Sequence, residues 1–205
     1  FLYSKLAYDP ATAFTPITML GAAPSVLAVN ARLAPSTVGE LIALAKAKPG
    51  QLRLSSSGVG SYQHLVSEQF RMQTGTDFLI VQYKGGGPAL NDLVAGHVNF
   101  SVGTIIQTLP FIKSGQLKAL AIAGPKRLAA LPDVPTVAEA GLRDYDAVNW
   151  WGLLAPAGTP PAIIERLYRE TLKALAWPDL VKRLAAEGAE IVGSPPAEFT
   201  RYIRD

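Results

Sequence analysis

Cysteine is absent from the 205 residues, so neither a disulfide framework nor a thiolate metal site can be drawn from this chain. That absence fits either redox compartment. Histidine is nearly absent too: His64 and His97 lie far apart, which argues against a histidine metal site, and no cofactor is expected. Charge of one sign never accumulates. The 19 basic and 16 acidic residues are scattered, leaving no footprint for nucleic acid or an anionic membrane surface. No apolar run approaches the ~18 residues that cross a bilayer, so no direct membrane insertion is expected. A basic stretch followed by an apolar one is missing from Phe1 to Pro10, and Phe1 is not a start methionine. The expectation is a processed or truncated product with sequence upstream of it.

What remains is the composition of a folded chain. Hydrophobic residues make up 49% against 17% charged, enough to bury one large core or two small ones. The most informative stretch is Leu52–Phe70, where the alternating Leu52-Arg53-Leu54 leads through a small-residue turn, Ser55–Ser61, into helical spacing. Strand, glycine turn and helix together make an anion-binding shape. The first N–H groups of a helix lack intrahelical partners, and the aligned peptide dipoles add partial positive charge there. Gly58 and Gly60 allow positive φ and close ligand approach, Ser61 is a good N-cap, and Ser55, Ser56 and Ser57 offer hydroxyls.

Along the chain, Phe1, Leu2, Tyr3, Leu6 and Tyr8 form an apolar set that needs partners, and 17–22 and 25–30 read as two extended pieces separated by Pro24. Thr37-Val-Gly-Glu40 is a capping box opening a helix that Pro49-Gly50 stops. A strand over 52–57 and a helix over 62–74 follow, the helix burying Leu65, Val66, Phe70 and Met72. Next come a buried strand over 78–82, a second glycine turn over 84–88, a helix over 88–95, a strand over 98–103, a helix over 105–113 and a strand over 117–123. Strands separated by helices imply an α/β fold, a parallel sheet with helices on both faces and ligands at the carboxyl ends of its strands. From Pro125 to Asp146 the chain is punctuated by proline, and a second capping box, Thr136–Glu139, opens a short helix closed by Gly141. An extended aromatic segment over 147–155 precedes helices over 160–176 and 178–187, a strand over 189–192 and a terminal helix over 195–204. The helix over 160–176 shows Ile163, Ile164, Leu167, Tyr168 and Leu175 on one face, and the next uses Leu180, Val181 and Leu184. The composition break at 124–146 marks a domain crossover.

Three chemistries can be weighed on these residues. Gly58-Val-Gly60-Ser-Tyr-Gln63 has two glycines of a dinucleotide fingerprint but glutamine where the third glycine permits close helix packing. Ser61 and His64 stand three apart at a helix start, yet Ser61 is not in a G-x-S-x-G elbow, so His64 reads as a partly buried polar residue near the helix start. His97 reads as a solvent-facing turn residue, and no paired carboxylates near either turn support acid/base work. Tyr83, Lys84 and Gly85 supply an aromatic, a cation and free N–H groups. Trp150 and Trp151 point opposite ways from one strand, one into the core and one towards a pocket.

The stretches Tyr8–Pro10, Leu41–Gly50, Ser56–His64, Tyr83–Leu90, Leu131–Gly141 and Trp151–Pro160 together resemble the periplasmic solute-binding receptors of tripartite tricarboxylate transporters, the Bug receptor family, over essentially the whole chain. The resemblance implies a periplasmic-binding-protein-like two-domain clamshell of mostly parallel sheets flanked by helices, closing on a small carboxylate held by main-chain N–H groups and ordered water. It implies further that residues 26–124 form the second domain, while 1–25 and 125–205 belong to an incomplete first domain. Ser57, Gly58, Gly60, Ser61 and His64 fall in one implied binding turn, with Tyr83, Lys84 and Gly85 near it, Gly103 and Thr104 at a strand end, and Trp151 near the hinge. Relatives that bind amino acids resemble one another in placing an aspartate where Gly103 stands, so the implied ligand is a carboxylate without an α-amino group. The implied partners are the ligand and the membrane permease subunits, and the implied location is periplasmic. An α/β hydrolase-type enzyme using Ser61 and His64, or a truncated non-binding remnant, remain as alternatives.

Overall fold

The computed structural model describes residues 6–145 and 147–204, so Phe1, Leu2 and Tyr3 of the expected apolar set lie outside the described residues. The chain runs β1 (Phe14–Asn30), α1 (Val38–Ala47), β2 (Arg53–Ser56), α2 (Tyr62–Thr74), β3 (Leu79–Gln82), α3 (Gly86–Ala95), β4 (Phe100–Thr104), α4 (Ile105–Lys113), β5 (Leu117–Ala123), β6 (Val148–Pro156), α5 (Pro161–Leu175), α6 (Pro178–Ala186), β7 (Glu190–Ile191) and α7 (Pro196–Arg204). It divides into a central unit, Ala23–Asn149, and an outer unit made of Phe1–Ala22 and Trp150–Asp205. Residues 125–149 group with the central unit, because Val137, Tyr145 and Ala147 are buried in its core.

In the central unit the strands lie in the order β3-β2-β4-β1-β5. β2 runs parallel to β3 and β4, whereas β1 is antiparallel to β4 and to β5. Thus β3, β2, β4 and β5 share one direction and β1 opposes them, giving a mixed α/β sheet. β1 is continuous where the sequence suggests two pieces. Pro24 removes one N–H without ending the strand, and Gly21 marks close approach of β7: a Cβ there would lie 2.6 Å from the Glu190 carbonyl oxygen. β3 is the edge of the sheet and not a buried strand, so Leu79 is 55% exposed.

The core of this unit centres on aromatic rings. Phe70 meets Phe78, Phe100 and Tyr145 with centroid separations of 6.2, 6.3 and 5.9 Å, and Phe78 meets Phe100 at 5.0 Å. α2 buries Val66, Phe70 and Thr74, one residue in four down a single face. Leu65 and Met72 fall off that face, and at 56% and 80% exposure they are not core residues. The box at Thr136–Glu139 forms its reciprocal hydrogen bonds, Thr136 N–H to Glu139 Oε2 at 2.7 Å and Glu139 N–H to Thr136 Oγ1 at 3.2 Å. It caps a turn and not a helix, because Val137 N–H donates instead to Ile122 and Gly141 closes the segment at φ 99°.

In the outer unit, Ile17, Ala155 and Ile164 form a small core with Leu153 and Tyr168. Gly152 lies directly under the buried Phe199 ring, leaving no room for a Cβ. Of the face expected on α5, Ile164 is buried while Ile163 and Leu167 are exposed, and α6 buries none of its residues. Trp150 and Trp151 are 37% and 39% exposed, so neither is a core residue; Trp150 stands edge-on to Phe199 and Tyr202. Among the described residues no helix is long and apolar enough to cross a membrane.

Candidate functional site

Three parallel strands of the central unit end at Ser56, Gln82 and Thr104, and a helix starts just beyond each. A cavity of about 160 Å³ opens there, lined by Ser57, Tyr62, Gln63, Gly86, Thr104, Gln107 and Asn149. Gln63 stands in the first turn of α2, Gly86 in the first turn of α3, and Thr104 at the N-cap of α4. Three helix N-termini therefore border one space. None of the three has an acidic residue in its first turn, so the partial positive charge of their opening N–H groups is unopposed. Every lining side chain is uncharged, carrying a hydroxyl, an amide or only hydrogen. The arrangement can receive an anion through neutral donors, and it brings no nucleophile and base together.

Two glycines shape the walls. A Cβ on Gly86 would lie 2.8 Å from Gln107 Oε1, so the missing side chain lets Gln107 lie across the start of α3. A Cβ on Gly103 would lie 3.3 Å from Gln63 Nε2 and from Thr108 Cγ2. Gln63 also borders a second, narrower space of about 10 Å³, with Ser55, Ser101, Gly103 and Thr108, which is about the room for one water. Ser56 Oγ, Gln63 Oε1 and Gln82 Oε1 are buried without a hydrogen-bond partner among the described residues. Buried oxygens of this kind are costly unless water or a ligand reaches them.

Of the residues singled out in the sequence, Ser57 and Thr104 line the cavity, and Gly103 lines the second, narrower space. Gly58 is at φ 132°, and a Cβ there would lie 3.2 Å from the Tyr83 carbonyl oxygen. Ser61 caps α2: its Oγ accepts the His64 backbone N–H at 3.2 Å, while the His64 ring accepts the Gly60 N–H through Nδ1 at 3.1 Å. Ser61 and His64 therefore meet as cap and turn, with no bond from the hydroxyl to the ring. Gly85 N–H donates to Ser57 O at 3.0 Å and ties the two glycine turns together. Lys84 is exposed. Tyr83 points towards α3, its hydroxyl donating to Asp92 Oδ2 at 2.6 Å; burial, then the Asp92 hydrogen bond, pushes its pKa up to about 12. Trp151 belongs to the outer unit.

Tyr62, Gln63, Gly86, Gln107 and Asn149 line the cavity without having been singled out as ligand contacts. Gln63 and Gly86 had a usable signal, since both follow a glycine turn within the first residues of a helix. Gln107 and Asn149 carry no local signature, and only the folded sheet brings them there. Among the described residues no group of three or more His, Asp or Glu side chains could hold a metal ion.

Comparison with known proteins gives the arrangement its context. BugT of Bordetella pertussis is 36% identical over 204 residues, and the chain spans 63% of that protein's length. An R. palustris protein solved with adipate superposes with a TM-score of 0.92 at 33% identity, covering 99% of this chain and 68% of that one. MatC from Rhodopseudomonas palustris, solved with bound malate, gives 0.93 at 31% identity, with 99% and 70% covered. The fold is that of periplasmic binding proteins. Residues 1–205 match the tripartite tricarboxylate transporter family receptor along their whole length, and the chain belongs to that family.

Proposed function

We propose that the protein is an extracytoplasmic solute-binding receptor that captures a small carboxylate in the periplasm and delivers it to the permease subunits of a tripartite transporter. The observation that carries this reading is the convergence of three helix N-termini, none with an acid in its first turn, on one cavity lined by neutral donors. Similar proteins hold adipate and malate, both dicarboxylates, which fits donors aimed at carboxylate oxygens. A lining of neutral hydroxyl and amide groups suits capture and release. β1 and β6 carry the chain across the boundary between the two units twice, which supports a hinge between receptor halves. A ligand shifts such a hinge only by its differential affinity for the two states.

The test is native mass spectrometry of protein purified without added acid. A retained mass that matches a mono-, di- or tricarboxylate is the expected result. A retained amine, sugar or nucleotide would contradict the reading.

A further inference from the structure

We propose that His64 is a positioning residue for the carboxylate site, acting through the turn and not by touching the ligand; the inference rests on the receptor reading above. His64 is not among the residues that line the cavity. Its ring Nδ1 accepts the Gly60 N–H at 3.1 Å, and its backbone N–H is held by Ser61 Oγ at 3.2 Å, so the last two residues of the turn between β2 and α2 are both tied to His64. That turn presents Ser57 to the cavity, and the Ser57 carbonyl accepts the Gly85 N–H at 3.0 Å, which couples it to the turn that starts α3. Gly60 is at φ 76°, where glycine has no strong preference of its own. The imidazole supplies the restraint that the glycine lacks.

This bond requires one protonation state. Nδ1 accepts only when it carries no proton, so the neutral ring bears its proton on Nε2. Protonation at Nδ1 would set two donors against each other and release Gly60. The charged group facing the ring is Glu68, on the same helix, with Oε1 3.7 Å from Nε2; its other oxygen is bound by Arg71 at 2.6 Å. The turn presents only uncharged groups, Ser57 to Ser61, and among the described residues no carboxylate of another element stands within ion-pair distance of the ring. Glu68 offsets the imidazolium charge, so the lost turn bond decides the outcome, and ligand binding favours the neutral ring. Affinity is then highest with the ring neutral and falls where the ring is protonated.

The test uses malate as the probe, titrated calorimetrically into the wild type, His64→Asn and His64→Ala between about pH 8 and about pH 5.5. Asparagine places an amide oxygen near the Nδ1 position and does not titrate. The wild type should lose about tenfold in affinity across this range, H64N should match it at the alkaline end and stay flat, and H64A should be about tenfold weaker and flat. Nitrogen-15 NMR of the ligand-free protein should show Nδ1 unprotonated at the alkaline end and the Gly60 amide protected in wild type and H64N alone. A wild-type profile parallel to that of H64N, H64A binding as the wild type does, or a protonated Nδ1 at the alkaline end would each overturn the inference while leaving the receptor reading intact. If neither malate nor any other carboxylate binds while the NMR shows the Gly60 bond, the receptor reading fails and the positioning role with it.

Discussion

Gly103 is the residue at which we propose that ligand class is set. It lies in β4, where a side chain would press on Gln63 and Thr108, and Gln63 borders the cavity. Gly103→Asp would place a carboxylate beside donors that we propose receive an anion. We expect affinity for dicarboxylates to fall at least tenfold and affinity for α-amino acids to rise, both read by isothermal titration; unchanged dicarboxylate binding would separate Gly103 from ligand choice. The tyrosines give a pH prediction. Tyr83 is raised to about 12 by burial and then by Asp92, and burial also raises Tyr145, whose hydroxyl donates to Val66 O at 2.9 Å. Both native pKa values lie above the unfolded value of about 10, so this stability is fully present below about pH 10 and is lost as pH climbs beyond it. Tyr83→Phe should flatten part of the alkaline decline in melting temperature. At this scale the sequence was legible where a residue acts through its neighbours in the chain: Ser61 caps α2 as its position predicts, and Gln63 stood out as a break in a glycine motif. Lys84 and Tyr83 both fell near the implied site, but one faces solvent and the other α3, because side-chain direction depends on packing that spacing does not encode.

Elements were legible where both a start and a stop signal were present. α2 occupies 62–74 and α4 occupies 105–113, the spans expected from the sequence, with Ser61 capping α2 and Gly75 ending it in the structure. The unpredicted features depend on distant partners. Pro24 looks like a break but sits inside β1, and the segment after Thr136 has its cap yet follows β5 as a turn. Leu65 and Met72 are apolar but lie off the Val66-Phe70-Thr74 face, where tertiary contact and not hydrophobicity selects the inward stripe. Two substitutions test this account of the elements. Gly152→Ala should destabilise the outer unit by about 3 kcal/mol, measured by urea unfolding, because its methyl has no space beneath Phe199. Thr37→Ala should cost about 1 kcal/mol, since Thr37 Oγ1 accepts the Glu40 N–H at 3.2 Å and caps α1.

At the scale of the whole molecule, the sequence shows an α/β chain of strands alternating with helices, and the fold and family follow from it. Sheet order does not, because β1 enters between β4 and β5 and runs against both, a long-range pairing invisible to local periodicity. That pairing nonetheless leaves β2, β3 and β4 parallel, so their ends and the helix starts beyond them face the same way. The cavity bordered by these helix starts is thus a property of the sheet as much as of any motif. Thermal shift across a panel of mono-, di- and tricarboxylates, with amines and neutral sugars as controls, tests the central claim most directly. At ligand near a hundred times its Kd the account predicts stabilisation of about 2.7 kcal/mol for at least one small carboxylate and none for the controls. No shift with any carboxylate, or an equal shift with a neutral sugar, would contradict it.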